Sequence, residues 1–106
     1  MARYKPFSGD IDMEGVDPEQ PYGASLWIHE NVHKAQHQRL GLAFFMTRYY
    51  FHPWQFEREA YYAQICYLLQ EDMNQDRFAW LRDILEVGYS DATPELVEDL
   101  LDEIGL

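Results

Sequence analysis

The sequence predicts a mainly α-helical protein that folds as a single domain. The chain has 106 residues, which is typical of one domain. Hydrophobic residues make up 47% of it and aromatic residues 16%, which is enough for an apolar core. From Ser25 onward, apolar residues recur at the spacing of a helical face. We expect an N-terminal segment (residues 1–24), a central core (25–71) and acidic C-terminal helices (75–106).

The N-terminal segment is rich in proline and glycine, which predicts loop, with a short strand near Ile11–Met13. A first helix is expected over residues 25–39, and its apolar positions are Leu26, Ile28, Val32, Ala35 and Leu40. The next apolar run, Leu42–Phe51, should end at His52, because a residue that precedes proline is disfavoured in the α region. A third helix should follow over residues 54–71.

Two short amphipathic helices are predicted in the last third of the chain. The first covers residues 75–87 and should stop at Gly88. The second has well-marked boundaries, since Thr93 suits an N-cap, Pro94 suits the first helical position and Gly105 follows the last apolar residue. Its apolar stripe consists of Leu96, Val97, Leu100, Leu101 and Ile104.

The chain is strongly acidic. It has 8 Lys and Arg against 19 Asp and Glu, a formal net charge of −11, which argues against binding to a phosphate backbone. We therefore expect no nucleic-acid partner. From Gln70 onward there are 11 acidic residues and two basic ones, Arg77 and Arg82. This acidity is typical of a solvated helix face, and its alternative interpretation is a docking surface for a basic protein.

Cysteine content and hydropathy predict a cytoplasmic protein. Cys66 is the one cysteine, so a disulfide framework within the chain and a cysteine-based zinc site are excluded. The first ten residues have no apolar region typical of a signal peptide. The longest apolar stretch, Leu40–Phe51, is too short to span a bilayer, so no membrane association is expected. Any bound metal must be held by histidines and carboxylates.

The most informative motif is His29-Glu30-x-x-His33, of the form HExxH. On a helix, residues four apart lie on one face about 6 Å from each other, so both imidazoles can reach one Zn²⁺ at about 2.0 to 2.1 Å. Glu30 is turned about 100° from His29 around the helix axis. It therefore flanks the metal, where a general base is needed to take a proton from water.

A catalytic zinc site needs a third protein ligand, and the sequence offers two main candidates. Glu57 and Glu59 both lie in the third predicted helix, about 200° apart, so they cannot both face the same metal. The spacing alone leaves this choice open. His37, four residues after His33, is a weaker candidate, because three histidines at successive steps of four drift around a straight helix.

The HExxH motif followed by Glu57-x-x-Ala60 resembles the gluzincin metallopeptidases, and is similar in particular to their small minigluzincin members. The resemblance covers about residues 25–65. It implies that His29, His33 and Glu57 bind zinc. Several relatives carry an Asp after the Ala of the second motif, where it orients a ligand histidine, whereas this chain has Tyr61 there.

The resemblance implies hydrolysis of a peptide or protein substrate. In such enzymes zinc polarises the scissile carbonyl, and Glu30 would accept the proton of the attacking water. A second group steadies the developing oxyanion. The candidates for that role are Tyr49, Tyr50, His52 and Tyr61, and we assign it to Tyr61. The alternative function, from a different class, is a non-catalytic acidic helical protein, with a structural metal or none, that binds a basic partner.

Overall fold

The computed structural model describes residues 2–106 and confirms a mainly helical fold. Two short strands form an antiparallel hairpin, and five helices follow them. The elements in chain order are β1 (Arg3–Lys5), β2 (Asp10–Asp12), α1 (Pro21–Leu40), α2 (Leu42–Phe51), α3 (Pro53–Gln70), α4 (Arg77–Val87) and α5 (Pro94–Ile104). None of the helices in the described part of the chain is both long and apolar enough to cross a membrane.

The N-terminal segment is more ordered than the sequence predicted. The strand expected near Ile11 is β2. It pairs with β1, with Tyr4 opposite Ile11. The sequence predicts loop where β1 lies. A three-residue strand has too few residues to give a recognisable alternation. The hairpin packs on α1, and the Tyr4 hydroxyl hydrogen-bonds His37 Nδ1.

Helix α1 begins four residues earlier than predicted, at Pro21 instead of Ser25. Proline suits the first turn, because its fixed φ matches the helix and its missing N–H is not needed there. Gly23 lies against the chain that enters the helix, and a Cβ at this position would sit 1.8 Å from the Asp17 carbonyl oxygen. The early glycine and proline that suggested loop are therefore part of a closely packed helix start.

The joints between the next helices follow the sequence closely. Gly41 separates α1 from α2 with a φ of 83°, a conformation that favours glycine. Helix α2 covers Leu42–Phe51, as predicted, and Pro53 begins α3 directly after His52. These tight connections let α3 pack chiefly against α1.

The apolar core lies between α3, α4 and α5. Helix α5 has the predicted boundaries, with the Thr93 side chain accepting a hydrogen bond from Leu96 N–H and Gly105 in the left-handed region. Asp76 caps α4 in the same way. The buried core residues are Trp54, Tyr61, Ile65, Leu68, Trp80, Ile84, Val97, Leu100 and Leu101.

Helix α1 does not bury the apolar face that the sequence suggested. Ala35 is exposed, and Leu26, Ile28 and Val32 are half-buried. The residues that α1 buries are almost all polar: Ser25, His29, Glu30, His33 and Gln36, together with Gly23. The apolar prediction for this face was wrong, because the side of α3 that α1 meets is itself polar around Glu57 and Gln64.

Candidate metal centre

Helices α1 and α3 bring two imidazoles and one carboxylate together in a buried position. His29 and His33 lie one helical turn apart on α1, and their Nε2 atoms are 2.9 Å and 2.8 Å from Glu57 Oε1 of α3. All three side chains are at most 6% exposed. The structure thus places the carboxylate predicted from the second motif directly opposite the two histidines of the first.

The sequence neighbour Glu30 belongs to the same buried group. His29, Glu30 and His33 can each offer one ligand atom, and these atoms all lie within 4.8 Å of one another. This group could hold a metal ion. Imidazole nitrogens and carboxylate oxygens are ligands that zinc and other divalent transition metals accept, so the donor chemistry fits such an ion.

The charges at the site favour an ionised Glu57. Burial by itself raises the pKa of this carboxyl, but hydrogen bonds with His29 and His33 outweigh it and lower the pKa to about 2. Burial lowers the pKa of His33, whereas the bond to Glu57 raises it more, so that the pKa lies above its ordinary value. For Glu30, burial is the largest influence and raises the pKa, against the lowering effect of the two histidines.

Each of the three central side chains has a further hydrogen-bond partner. Gln64 Oε1 lies 2.8 Å from His29 Nδ1, and Gln36 Oε1 lies 2.9 Å from His33 Nδ1. The Tyr49 hydroxyl donates to Glu57 Oε2. Among the described residues, no buried side-chain nitrogen or oxygen lacks a hydrogen-bond partner. The site is therefore held by a complete set of contacts from α1, α2 and α3.

The tyrosines near the site differ in what their hydroxyls contact. The Tyr61 ring packs edge-on against His29, with centroids 4.6 Å apart, and its hydroxyl is 3.0 Å from that of Tyr89. Burial raises the pKa of Tyr61 and of Tyr89, so both phenols keep their protons at neutral pH. Tyr50 and His52 are exposed. The catalytic role of Tyr61 stays a prediction.

The other ligand candidates lie away from the two imidazoles' Nε2 atoms. Glu59 is exposed, and its carboxylate accepts a hydrogen bond from Gln36 Nε2 at 3.3 Å. His37 is half-buried, and its Nδ1 hydrogen-bonds the Tyr4 hydroxyl. The ring of Phe45 also packs against the ring of Tyr4. Of the two glutamates between which spacing could not decide, Glu57 is the one that faces His29 and His33, and its role as a ligand stays a prediction.

A cleft of about 700 Å³ lies over the group and gives it access to solvent and to other molecules. Its volume is in the range of ligand-binding pockets. His29, Glu30, His33 and Glu57 line the cleft, as does Tyr61. All five helices except α5 line the cleft, and β1 does so as well; the lining residues away from the group include Arg3, Tyr4, Trp80, Ile84 and Val87.

Sequence reasoning missed three polar residues that support the site. It did not single out Gln64, Ser25 or Tyr89. Gln64 follows Glu57 by seven residues, so both lie on the same side of α3. Ser25 precedes His29 by four residues on α1. This spacing is the signal that could have found both, whereas nothing in the local sequence marks Tyr89.

No protein-family model, curated protein or solved structure matches this chain. The resemblance to gluzincins therefore depends on the two motifs and their spacing.

Proposed function

We propose that this protein is a small zinc-dependent metallopeptidase of the gluzincin type. One observation carries the proposal: the Nε2 atoms of the two HExxH histidines both lie within 2.9 Å of Glu57 Oε1, and all three side chains are buried and line a cleft. A chance HExxH match does not require a carboxylate of another helix to face both imidazoles. The position of Glu57 opposite His29 and His33 therefore favours a metal site over a chance match.

His29, His33 and Glu57 would hold the zinc ion through Nε2, Nε2 and Oε1. Two imidazoles and a carboxylate leave a fourth position open, as catalytic zinc sites require. When bound, zinc supplies a Lewis acid that polarises a carbonyl and lowers the pKa of a coordinated water. The Tyr49 hydroxyl occupies Glu57 Oε2, which leaves Oε1 of that carboxylate for the metal.

Glu30 is our candidate for the general base. It is buried beside both histidines and lines the cleft, which supports this role. In this role it accepts a proton from the attacking water and returns it to the leaving amine. A base at this position typically contributes a factor of about 10² to 10⁴ in rate.

Tyr61 is our candidate for stabilising the oxyanion. It lines the cleft beside His29, and its hydroxyl shares a hydrogen bond with Tyr89 in which either group can donate. Tyr49 is less suited, because it donates its proton to Glu57. Tyr61 would act by turning its hydroxyl from Tyr89 to the oxygen of the tetrahedral intermediate.

The metal site is tested by measuring how many zinc ions each chain retains. We expect the protein, stripped with a chelator and dialysed against zinc, to retain one zinc ion per chain by atomic emission. His33→Ala should lose it, whereas His52→Ala, a change at an exposed histidine, should retain it. Equal zinc content in the two variants would contradict the site.

The reaction is tested with Glu30→Gln, which keeps the size of the side chain and removes the base. Zinc content should be unchanged, and cleavage of an unfolded protein substrate should fall about 10² to 10⁴-fold. Glu98→Gln, at an exposed position of α5, is the matched control and should cleave like the wild type. If the wild type binds zinc but Glu30→Gln cleaves equally fast, the peptidase proposal is wrong.

The second candidate, an acidic protein that binds a basic partner, stays a prediction for the C-terminal helices. Two carboxylates of α5 are already paired within the chain, Asp102 with Arg77 and Glu103 with Arg58. This pairing reduces the charge available to a partner. A protein that retains no zinc would favour this candidate over the peptidase.

A further inference from the structure

Two buried glutamines contact the two histidines of the metal site on the side away from Glu57. Gln64, 2% exposed, comes from α3, and Gln36, fully buried, comes from α1. Their side-chain oxygens lie 2.8 Å from His29 Nδ1 and 2.9 Å from His33 Nδ1. The direction of these hydrogen bonds decides which imidazole nitrogen carries the proton and which presents a lone pair to the metal.

At His33, a backbone carbonyl fixes the direction of the hydrogen bond between the imidazole and Gln36. Gln36 Nε2 lies 3.0 Å from the Phe56 carbonyl oxygen. A carbonyl oxygen can only accept, so the amide NH₂ of Gln36 must point towards it and the amide oxygen must point towards His33. That oxygen also can only accept, so His33 Nδ1 must carry a proton.

The direction of the hydrogen bond at His29 is set through a serine. The Ser25 hydroxyl donates to the Tyr22 carbonyl oxygen at 2.6 Å, so in this arrangement its oxygen accepts the hydrogen bond from Gln64 Nε2 at 3.3 Å. The Gln64 oxygen then faces His29 Nδ1, which donates to it. Both chains of hydrogen bonds end at backbone carbonyls and favour the same tautomer in both histidines, directly at His33 and through a rotatable hydroxyl at His29.

This tautomer determines what Nε2 can do. With Nδ1 protonated, each neutral imidazole directs the lone pair of Nε2 at Glu57 Oε1, itself an acceptor, which lies 2.9 Å from Nε2 of His29 and 2.8 Å from Nε2 of His33. Positive charge between these three atoms stabilises the group, and one divalent cation or protons on Nε2 would supply it.

We propose that Gln36 and Gln64 are the positioning residues of the metal site, which hold both imidazoles in the Nδ1-protonated form with Nε2 free for the ion. This inference rests on the metal site of the proposed function and does not depend on its peptidase activity. The supporting groups are neutral amides, which raise the basicity of a histidine less than a carboxylate does. A carboxylate in place of an amide should therefore strengthen metal binding where the surroundings accept it.

The surroundings of the two glutamines predict opposite results for that exchange. Gln64 Nε2 donates to a hydroxyl, and the Ser25 hydroxyl can rotate and donate to a carboxylate instead. Gln36 Nε2 donates to the Phe56 carbonyl and to Glu59, neither of which can donate. Glutamate is therefore tolerated at position 64, whereas at position 36 it would face two acceptors.

The experiment measures zinc affinity by competition with a chromogenic chelator, and histidine tautomers by ¹⁵N NMR of the metal-free protein at alkaline pH. Gln64→Met should weaken zinc binding about 10 to 100-fold and release His29 from the Nδ1-protonated form. Gln64→Glu should bind zinc at least as tightly as the wild type and keep that tautomer. Gln36→Glu should bind zinc more weakly than the wild type. Gln55→Met, at an exposed position of α3, is the control and should change neither readout.

The proposal is overturned if Gln64→Met leaves both the affinity and the tautomer of His29 unchanged, or if Gln64→Glu binds zinc as weakly as Gln64→Met. Circular dichroism checks the fold, and if Gln64→Met does not fold, Gln64→Glu and Gln36→Glu decide by their opposite expected effects. The tautomers are read without metal and without substrate. A wild type that binds zinc but fails to cleave peptides therefore contradicts the proposed function alone, whereas a wild type that binds no zinc contradicts both proposals.

Discussion

Helix α3 takes part in two interfaces of opposite chemistry. Towards α4 and α5 it packs Ile65 and Leu68 into an apolar core. Towards α1 it presents Glu57 and Gln64, which meet a stripe of buried polar residues. Both interfaces are well covered from solvent, and every buried polar side-chain atom in the described part of the chain has a partner. They differ in what burial contributes to stability.

The apolar interface is expected to contribute more to the stability of the fold than the polar one. A fully buried leucine or isoleucine contributes about 1.5 to 3 kcal/mol. A buried polar group costs free energy unless it is hydrogen-bonded, and its net contribution when bonded is about 0.5 to 1.5 kcal/mol. Apolar residues in place of His29, His33 and Glu57 could fill the same space. The two histidines instead belong to the buried group that could hold a metal ion.

The largest expected effect on stability separates the two interfaces. Leu100 of α5 is fully buried in the apolar core, so Leu100→Ala should lower the free energy of unfolding by about 2 to 5 kcal/mol. The affinity of the folded protein for zinc should stay within about twofold of the wild type, because the change lies on the other side of α3. Urea unfolding and zinc titration measure the two quantities.

The matched control for this change is Leu96→Ala, on the same helix at a position that is 41% exposed. It should cost at most about 0.5 kcal/mol. If Leu100→Ala weakened zinc binding as strongly as it weakens the fold, the two interfaces would form one cooperative unit, and their separation would be wrong.

The binding of zinc should have a somewhat smaller effect on the free energy of unfolding. At a free zinc concentration of 100 times Kd, binding should raise the free energy of unfolding by about 2.7 kcal/mol. Glu57→Gln removes the charged oxygen between the two imidazoles and should abolish most of this gain. The measurement is urea unfolding with zinc and with a chelator.

Glu59→Gln tests whether the gain belongs to Glu57 alone. Its carboxylate lies two residues away on α3 and is exposed, so this variant should keep the full stabilisation by zinc. Equal losses in Glu57→Gln and Glu59→Gln would contradict the assignment of Glu57 as the third ligand, and would sharpen the search for the ligand on α3.

The apolar half of the molecule was predictable from the sequence because its signals are local. Thr93, Pro94 and Gly105 mark the ends of α5 by backbone chemistry that depends on few neighbours. Of the apolar stripe predicted from spacing, Val97, Leu100 and Leu101 are fully buried, whereas Leu96 is 41% exposed and Ile104 is half-buried. In α1 the same reasoning failed, since its apolar residues are half-buried or exposed and its buried face is polar.

The candidate site was predictable only in part. The spacing of His29 and His33 indicated one helical face, but the choice between Glu57 and Glu59 depends on how α3 is rotated against α1, which no local pattern contains. The roles of Gln36 and Gln64 depend on hydrogen bonds between residues up to 35 positions apart. Strand β1 was missed for a related reason, because it is defined by its partner β2 and not by its own three residues.

The smallest of these effects on the free energy of unfolding is expected from removing the cap of α5, in the apolar half of the molecule. The Thr93 hydroxyl accepts the Leu96 N–H at 3.2 Å and caps α5. Thr93→Ala should lower the free energy of unfolding by about 1 kcal/mol, whereas Thr93→Ser, which keeps the hydroxyl, should lower it much less. Neither change should alter the affinity for zinc, because α5 meets α3 on its apolar side. A loss of zinc binding in Thr93→Ala with an unchanged free energy of unfolding would reverse the assignment of stability to one interface and of binding to the other.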